Sequence, residues 1–160
     1  MATTETSTST FETGRRVPLP HTDPGGRNRR MAYAIFRVTL GLNIFLHGFV
    51  RILTGPGTFE ANTEKLFTAT FLPMVGVHFF LSVLPYIEAV TGALLLVGLF
   101  TFWALVAGAL LMLVLIFGTG ARQDWNTVGT QTLYGLFYYF LIAHNEYNWL
   151  SVDCFFRKRP

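Results

Sequence analysis

Residues 34–52 constrain the fold most, because the stretch is apolar enough to enter a bilayer and yet contains strongly polar side chains. A membrane-spanning helix needs about 20 mostly apolar residues. Placing an arginine at mid-membrane costs at least ~2.5–3.5 kcal/mol on insertion scales. The polar residues of this stretch are Arg37, Asn43, His47 and Arg51. A helix that contains them must turn them towards protein, cofactor or water rather than towards lipid.

Helical spacing places these residues on one side of the helix. At about 100° per residue, a single stripe contains Arg37, Gly41, Ile44, Gly48 and Arg51, with Asn43 and His47 beside it. The two glycines permit close approach by a second helix. The polar side of the helix is therefore predicted to be its packing side as well.

The composition of the whole chain is that of a membrane protein. Hydrophobic residues make up 51% and charged residues only 13%, about half of the ~25% usual in globular proteins. The formal charge of +3 comes from basic residues near the two ends and forms no basic-aromatic repeat, which argues against a nucleic-acid partner. The single cysteine, Cys154, excludes an internal disulfide and a multi-cysteine metal site.

The order of apolar and polar segments predicts an all-α integral membrane protein, a four-helix bundle. The predicted spans are residues 31–53, 77–97, 102–118 and 129–143, with a short interfacial helix within 58–76. Residues 1–30 lack the apolar core of a signal peptide and are predicted to be a disordered cytoplasmic tail. Residues 31–155 then form the membrane domain, and 156–160 a basic cytoplasmic tail.

Basic residues predict the orientation. Arginines and lysines cluster in the two tails, at positions 15, 16, 27, 29, 30, 157, 158 and 159. The loops that follow the first and third spans contain only Lys65 and Arg122. The positive-inside rule then puts both termini in the cytoplasm and makes the chain a multi-pass protein of the cytoplasmic membrane.

Depth along the spans predicts two polar layers. Arg37 and Glu88 lie roughly 9 Å and 15 Å from the cytoplasmic ends of their spans, which predicts a buried Arg37–Glu88 ion pair. Such a pair could lock two helices together, or Glu88 could act as a proton relay or quinone contact. The outer layer is predicted to contain His47, Arg51, Asp124, Trp125, Asn126 and Gln131.

Two parts of the outer layer have alternative interpretations. His47 is either a hydrogen-bonded bundle residue or a donor to a quinone carbonyl. Ligation of haem or a chlorophyll-type pigment by His47 is disfavoured, because no other histidine is placed to hold the group from its opposite side. Residues 124–126 are either a quinone-site loop or an interfacial anchor with a helix cap.

Two motifs resemble the DoxX family. Residues 37–51 show Arg, then Gly four residues on, then His-Gly and a basic residue, and residues 88–101 match Glu-x-x-x-Gly-x-x-Leu-x-x-Gly-Leu-x-Thr. Residues 151–153 are similar to the Ser-x-Asp that follows the last span in many members. The matching positions are Arg37, Gly41, His47, Gly48, Arg51, Glu88, Gly92 and Asp153.

This resemblance implies a four-helix bundle linked to membrane redox chemistry, since the DoxD branch includes the small subunit of a thiosulfate:quinone oxidoreductase. We therefore expect a DoxX-like subunit of a larger quinone-linked electron-transfer complex, not catalytic alone. Quinone would be bound by His47, Arg51, Glu88, Arg37, Gln131 and Trp125. The alternatives are a non-catalytic scaffold or accessory subunit of a respiratory or photosynthetic complex, and a transporter, for which no internal repeat is present.

Overall fold

The computed structural model describes residues 26–156, and this part of the chain consists of helices and turns without a strand. The helices are α1 (Arg27–Leu53), α2 (Pro56–Glu64), α3 (Met74–Val97), α4 (Thr101–Ala121), α5 (Trp125–Ala143) and α6 (Asp153–Phe156), with 3-10 turns at Lys65–Phe67 and Asn145–Tyr147. Most of both predicted tails lies outside the described residues. Positions 27–30, predicted as tail, instead form the first turn of α1.

Within this described range, α1, α3 and α4 are long and apolar enough to cross a membrane. Large apolar side chains such as Phe79, Trp103 and Leu113 point outwards from these helices and are exposed. Such surfaces are stable against lipid and costly in water. The chain is therefore a multi-pass membrane protein, and the predicted all-helical class is confirmed.

Glycines with positive φ angles lie in the turn between α1 and α2 and in the turn between α3 and α4. Gly55, at φ 96°, separates α1 from α2. Gly98, at φ 73°, closes α3, and its backbone N–H and that of Leu99 both donate to the carbonyl of Leu94. Glycine adopts this backbone conformation readily, because it has no Cβ to clash. Pro85 does not end α3, which remains helical from Met74 to Val97.

The tightest helix contact joins α1 to α3 through three glycines. A Cβ added at Gly41 would lie 2.9 Å from the backbone nitrogen of Leu96, and one at Gly48 would collide with the Pro85 carbonyl. From the other side, a Cβ at Gly92 would collide with the backbone of Phe45. The predicted close approach is confirmed, because these two backbones leave no room for any side chain.

The second close pair is α4 with α5. Tyr138 on α5 is completely buried, and its ring fills the space over Gly108 on α4. Around it, the core is formed by aliphatic residues of α1, α3 and α4: Leu40, Ile44, Leu84, Leu95 and Leu105. The four long helices therefore share one apolar core.

A short C-terminal segment, residues 150–153, is bound to the turn between α3 and α4; we call it the C-terminal latch. The Asp153 carboxylate accepts hydrogen bonds from the backbone N–H groups of Phe100 (2.7 Å) and Thr101 (2.8 Å), the first residues of α4. The buried Arg37 donates to the carbonyls of Leu95 (2.5 Å) and Leu150 (2.6 Å). One carboxylate thus caps a helix start, and one guanidinium caps a helix end.

Replacing Gly48 with alanine should destabilise the protein, because its Cβ would meet backbone atoms that cannot move independently of α3. Overpacking of this kind typically costs ~1–3 kcal/mol. Gly135→Ala is the matched control, since nothing lies within 4 Å of a Cβ there. The measurement is the unfolding transition of both variants in the same detergent. A Gly48→Ala variant as stable as Gly135→Ala would contradict the backbone contact.

Loss of the Asp153 cap should release the C-terminal latch. Asp153→Ala removes both acceptors at the start of α4, and each hydrogen bond to a charged group typically contributes ~1.5–3 kcal/mol. Asparagine keeps only one of the two acceptor oxygens. The local readout is the alkylation rate of Cys154, the only cysteine in the chain, whose Sγ donates to the carbonyl of Asn148 (3.0 Å). The rate should rise in Asp153→Ala and much less in Asp153→Asn. An unchanged rate in Asp153→Ala would contradict the latch, and equal rises in both variants would mean that one acceptor alone does not hold it.

Candidate functional site

A cavity of about 420 Å³ lies under α2, between α3 and α4, at the far end of α1 from Arg27. We call it the α2 cavity. Its walls are mostly apolar and aromatic: Phe59 and Phe67 above, Phe80 and Leu84 on α3, and Val114 and Phe117 on α4. Cavities of ~300–1,000 Å³ with apolar walls and a few polar groups are typical of small-molecule sites.

Arg51 is the main polar group on the α1 side of the α2 cavity. Its guanidinium forms an ion pair with Glu88 on α3 and lies 4.3 Å from the centre of the Phe59 ring. The Glu88 side chain is only 5% exposed, whereas that of Arg51 is 26% exposed. The pair therefore consists of a buried carboxylate and a cation that remains accessible from the cavity.

The predicted Arg37–Glu88 ion pair is wrong, because the antiparallel register of α1 and α3 separates the two residues. Gly48 lies against Glu88, and Gly41 lies against Leu95. Glu88 is therefore level with Gly48, and Arg37 is about 11 residues, or ~16 Å, further along α1. The sequence estimate started both spans at one depth, whereas α1 extends past the end of α3 and places Arg37 there.

Two more polar groups enter the cavity from the α4 and α5 side. The Thr119 hydroxyl lies 2.7 Å from the side-chain oxygen of Gln131 and 2.8 Å from a backbone carbonyl one turn earlier in α4, and its single proton serves one of them at a time. With its oxygen at Thr119, Gln131 can donate to a ligand through its amide nitrogen. Arg122 pairs with Asp124 (3.1 Å), and its guanidinium lies 5.1 Å from the Phe67 ring. The cavity therefore has hydrogen-bond donors on two sides and aromatic rings between them.

Asp124 organises the start of α5. It accepts hydrogen bonds from the hydroxyl (2.7 Å) and the backbone N–H (3.2 Å) of Thr127. The hydroxyl bond is the largest cause that lowers the pKa of this carboxyl below its ordinary value, and Arg122 lowers it further. Since the folded pKa is the lower one, this cap stabilises above the ordinary pKa and is lost as the pH falls through the folded one. The predicted cap at Asp124 is confirmed.

The structure brings together only part of the predicted site. Of the predicted cofactor residues, Arg51 and Gln131 line the α2 cavity, with Glu88 behind Arg51. His47 is exposed, and its Nδ1 forms a hydrogen bond with the carbonyl of Asn43 (2.9 Å), one turn earlier in the same helix. Trp125 is 68% exposed outside the cavity, and Arg37 lies near the C-terminal latch.

Sequence reasoning did not assign Arg122, Thr119, or the aromatic residues of α2 and of the turn that follows it to the site. Arg122 gave a signal, as one of few basic residues between the first and last spans. For Phe59 and Phe67 the sequence indicated only an amphipathic segment. Which way their side chains point depends on how this segment packs over the bundle. In residues 26–156, no group of three or more His, Cys, Asp or Glu is arranged to hold a metal ion.

The arrangement suits an amphipathic ligand with acceptor oxygens. A flat or ring-shaped body would pack between Phe59, Phe67 and Phe80, while Arg51 and Gln131 donate to its oxygens from different sides. Comparison of the chain with protein-family models, with curated proteins and with solved structures finds no match. The DoxX resemblance therefore stays a prediction.

A double-mutant cycle tests which arginine pairs with Glu88. Arg51→Gln and Glu88→Gln should each destabilise the protein, and the double variant should cost less than the sum, with a coupling of ~0.5–3 kcal/mol. The control cycle combines Arg37→Gln with Glu88→Gln, whose effects should add. The measurement is unfolding in detergent for all variants. Coupling of Glu88 to Arg37 but not to Arg51 would overturn the observed pairing.

Proposed function

We propose that this chain is a DoxX-like subunit of a quinone-linked electron-transfer complex, and that the α2 cavity binds the quinone head group. The supporting observation is one apolar cavity that has an accessible guanidinium and an amide on different walls. The chain is a multi-pass membrane protein, and quinones dissolve in the same hydrocarbon phase. The electron donor and acceptor would come from partner subunits.

The proposal includes a four-span topology with both ends on the cytoplasmic side. The fourth span would be α5, whose 19 residues give a length of ~28 Å, close to the ~30 Å hydrocarbon core. Arg27, Arg29 and Arg30 lie at the start of α1, whereas Lys65 and Arg122 lie near the opposite end of the bundle. This asymmetry supports the orientation through the positive-inside rule. The short helix α2 would then lie at the outer interface.

The donor groups of the cavity fit a quinone head group. Its two carbonyl oxygens are acceptors, and Arg51 and Gln131 supply donors to them. Phe59, Phe67 and Phe80 offer ring faces and edges to a flat ring. When bound, a quinone supplies two-electron, two-proton chemistry. This chain would orient the ring and exclude water. It would also hold the buried Glu88 carboxylate behind Arg51, the residue that binds the quinone oxygen.

A scaffold role is the second candidate, and a specific observation favours it. Several motif residues have packing or capping roles rather than a place in the cavity. Gly41, Gly48 and Gly92 let two helices touch, while Arg37 and Asp153 cap helix ends. A subunit of this kind could position partner proteins without binding a cofactor.

Filling the α2 cavity should displace quinone. Gly118 lies in the cavity wall, and a Cβ added there would lie 3.7 Å from the Phe67 ring. A Cβ added at Gly120 would have nothing within 4 Å. Gly118→Leu should lower the quinone bound to the purified protein about tenfold, the effect of ~1.4 kcal/mol, and Gly120→Leu should leave it unchanged. The measurement is titration of a short-tailed ubiquinone analogue into protein in nanodiscs.

Substitution of the donors provides a second, chemical test. Gln131→Leu should weaken binding by the ~0.5–1.5 kcal/mol of one hydrogen bond, and His47→Ala should not weaken it, because His47 does not line the cavity. Binding that survives Gly118→Leu, or that depends on His47 instead, would contradict the site. Absence of quinone binding, together with a stable co-purifying complex, would support the scaffold role.

A further inference from the structure

A second cavity, of about 610 Å³, lies between α1 and α5 near the first residues of α1. We call it the α1–α5 groove. It is lined by Arg29, Tyr33, Phe36, Phe140, His144 and Tyr147, together with Ala32 and Leu141. None of these residues belongs to the α2 cavity, so the groove is a separate feature of the molecule.

Side-chain contacts hold the groove open. Towards the middle of the bundle, Phe36 meets Phe137 edge to face, with ring centroids 5.2 Å apart. At the other end, the Tyr33 hydroxyl donates to the Asn145 side chain (3.1 Å) and Arg29 donates to the Tyr147 hydroxyl (2.9 Å). The two helices are therefore bridged above and below the groove, which fixes its width.

The groove is apolar at one end and polar at the other. Phe36, Phe140 and Leu141 line the part nearest the centre of the bundle, and Arg29 and Tyr147 lie at the mouth. A hydroxyl that accepts from Arg29 still has its own proton to donate. The His144 ring lies between Phe140 and Tyr147, and its Nδ1 forms a hydrogen bond with the Phe140 carbonyl (2.9 Å), which leaves Nε2 for a ligand.

The charge around the mouth is positive. Arg30, next to Arg29, lies 3.8 Å from the centre of the Trp149 ring, and Arg27 begins the same helix. Among the described residues of this region, the negative charges are those of Glu146 and Asp153, both close enough to act on Tyr33. Basic and aromatic residues together at a helix end are typical of contacts with lipid head groups.

We propose that the α1–α5 groove binds one anionic glycerophospholipid. Its phosphate would contact Arg29 and the Tyr147 hydroxyl, and an acyl chain would lie along Phe36 and Phe140. An apolar groove inside a bilayer is covered by hydrocarbon, so its apolar end suits a lipid acyl chain. The Arg29 guanidinium and the Tyr147 hydroxyl can both donate hydrogen bonds to phosphate oxygens. Arginine binds such oxygens with strong charge-assisted hydrogen bonds. This proposal depends on membrane insertion and is independent of quinone binding.

The test uses the full chain, released from detergent with defined lipids and measured by native mass spectrometry. The probes are phosphatidylglycerol and phosphatidylcholine with identical acyl chains. We expect preferential retention of phosphatidylglycerol, reduced about tenfold by Arg29→Gln, as for a lost charge-assisted hydrogen bond. Lys65→Gln is the charge-matched control, because Lys65 lies at the other end of the bundle and lines neither cavity.

A second variant separates loss of the site from loss of the fold. Ala32 lines the groove and is exposed, so Ala32→Phe should block the acyl chain while the helix remains intact. Equal retention of both lipids by the parent would overturn the proposal, as would equal effects of Arg29→Gln and Lys65→Gln, or unchanged retention in Ala32→Phe. Displacement of phosphatidylglycerol by millimolar inorganic phosphate alone would also overturn it, since a free anion would then be the ligand.

Discussion

The contact between the backbones of α1 and α3 determines most of the remaining arrangement. With Gly48 against Glu88 and Gly92 against Phe45, the two helices can meet in only one register. That register brings Arg51 beside Glu88 and carries Arg37 beyond the last turn of α3. Small residues at such a contact replace the hydrophobic driving force that is absent between helices in lipid. The polar pairs therefore follow from the packing and do not direct it.

The end of the bundle that contains the latch shows how helix termini are satisfied close to lipid. Four carbonyls at the end of a helix and four N–H groups at the start of the next have no partner within the helix. At the α3–α4 turn, Arg37 and Asp153 come from distant parts of the sequence to bind such groups. Their formal charges are opposite, and each faces the helix terminus whose dipole it neutralises. The positions of Arg37 and Asp153 in the family-like motifs can thus be explained by capping.

Sequence analysis predicted the helices well and the partners of the polar residues less well. Periodicity and composition are local, so the glycine stripe of α1, the short helix after it and the cap at Asp124 could be predicted. The partner of Glu88 depends on helix register. The predicted depths of Arg37 and Glu88 were wrong by ~10 Å, or about two helical turns, which was enough to assign Arg37 in place of Arg51. The contribution of Phe59 and Phe67 depends on how α2 lies over the bundle, and no local pattern contains that information.

The position of Arg51 has a thermodynamic consequence. One guanidinium neutralises Glu88, contacts the Phe59 ring of α2 and faces the α2 cavity. Any molecule that takes a hydrogen bond from Arg51 changes the electrostatic environment of the carboxylate and the attachment of the helix above it. Binding of such a molecule and packing of α2 would then be linked equilibria, each altering the other by the same coupling free energy. One side chain thus connects the α1–α3 ion pair, the helix above it and the cavity.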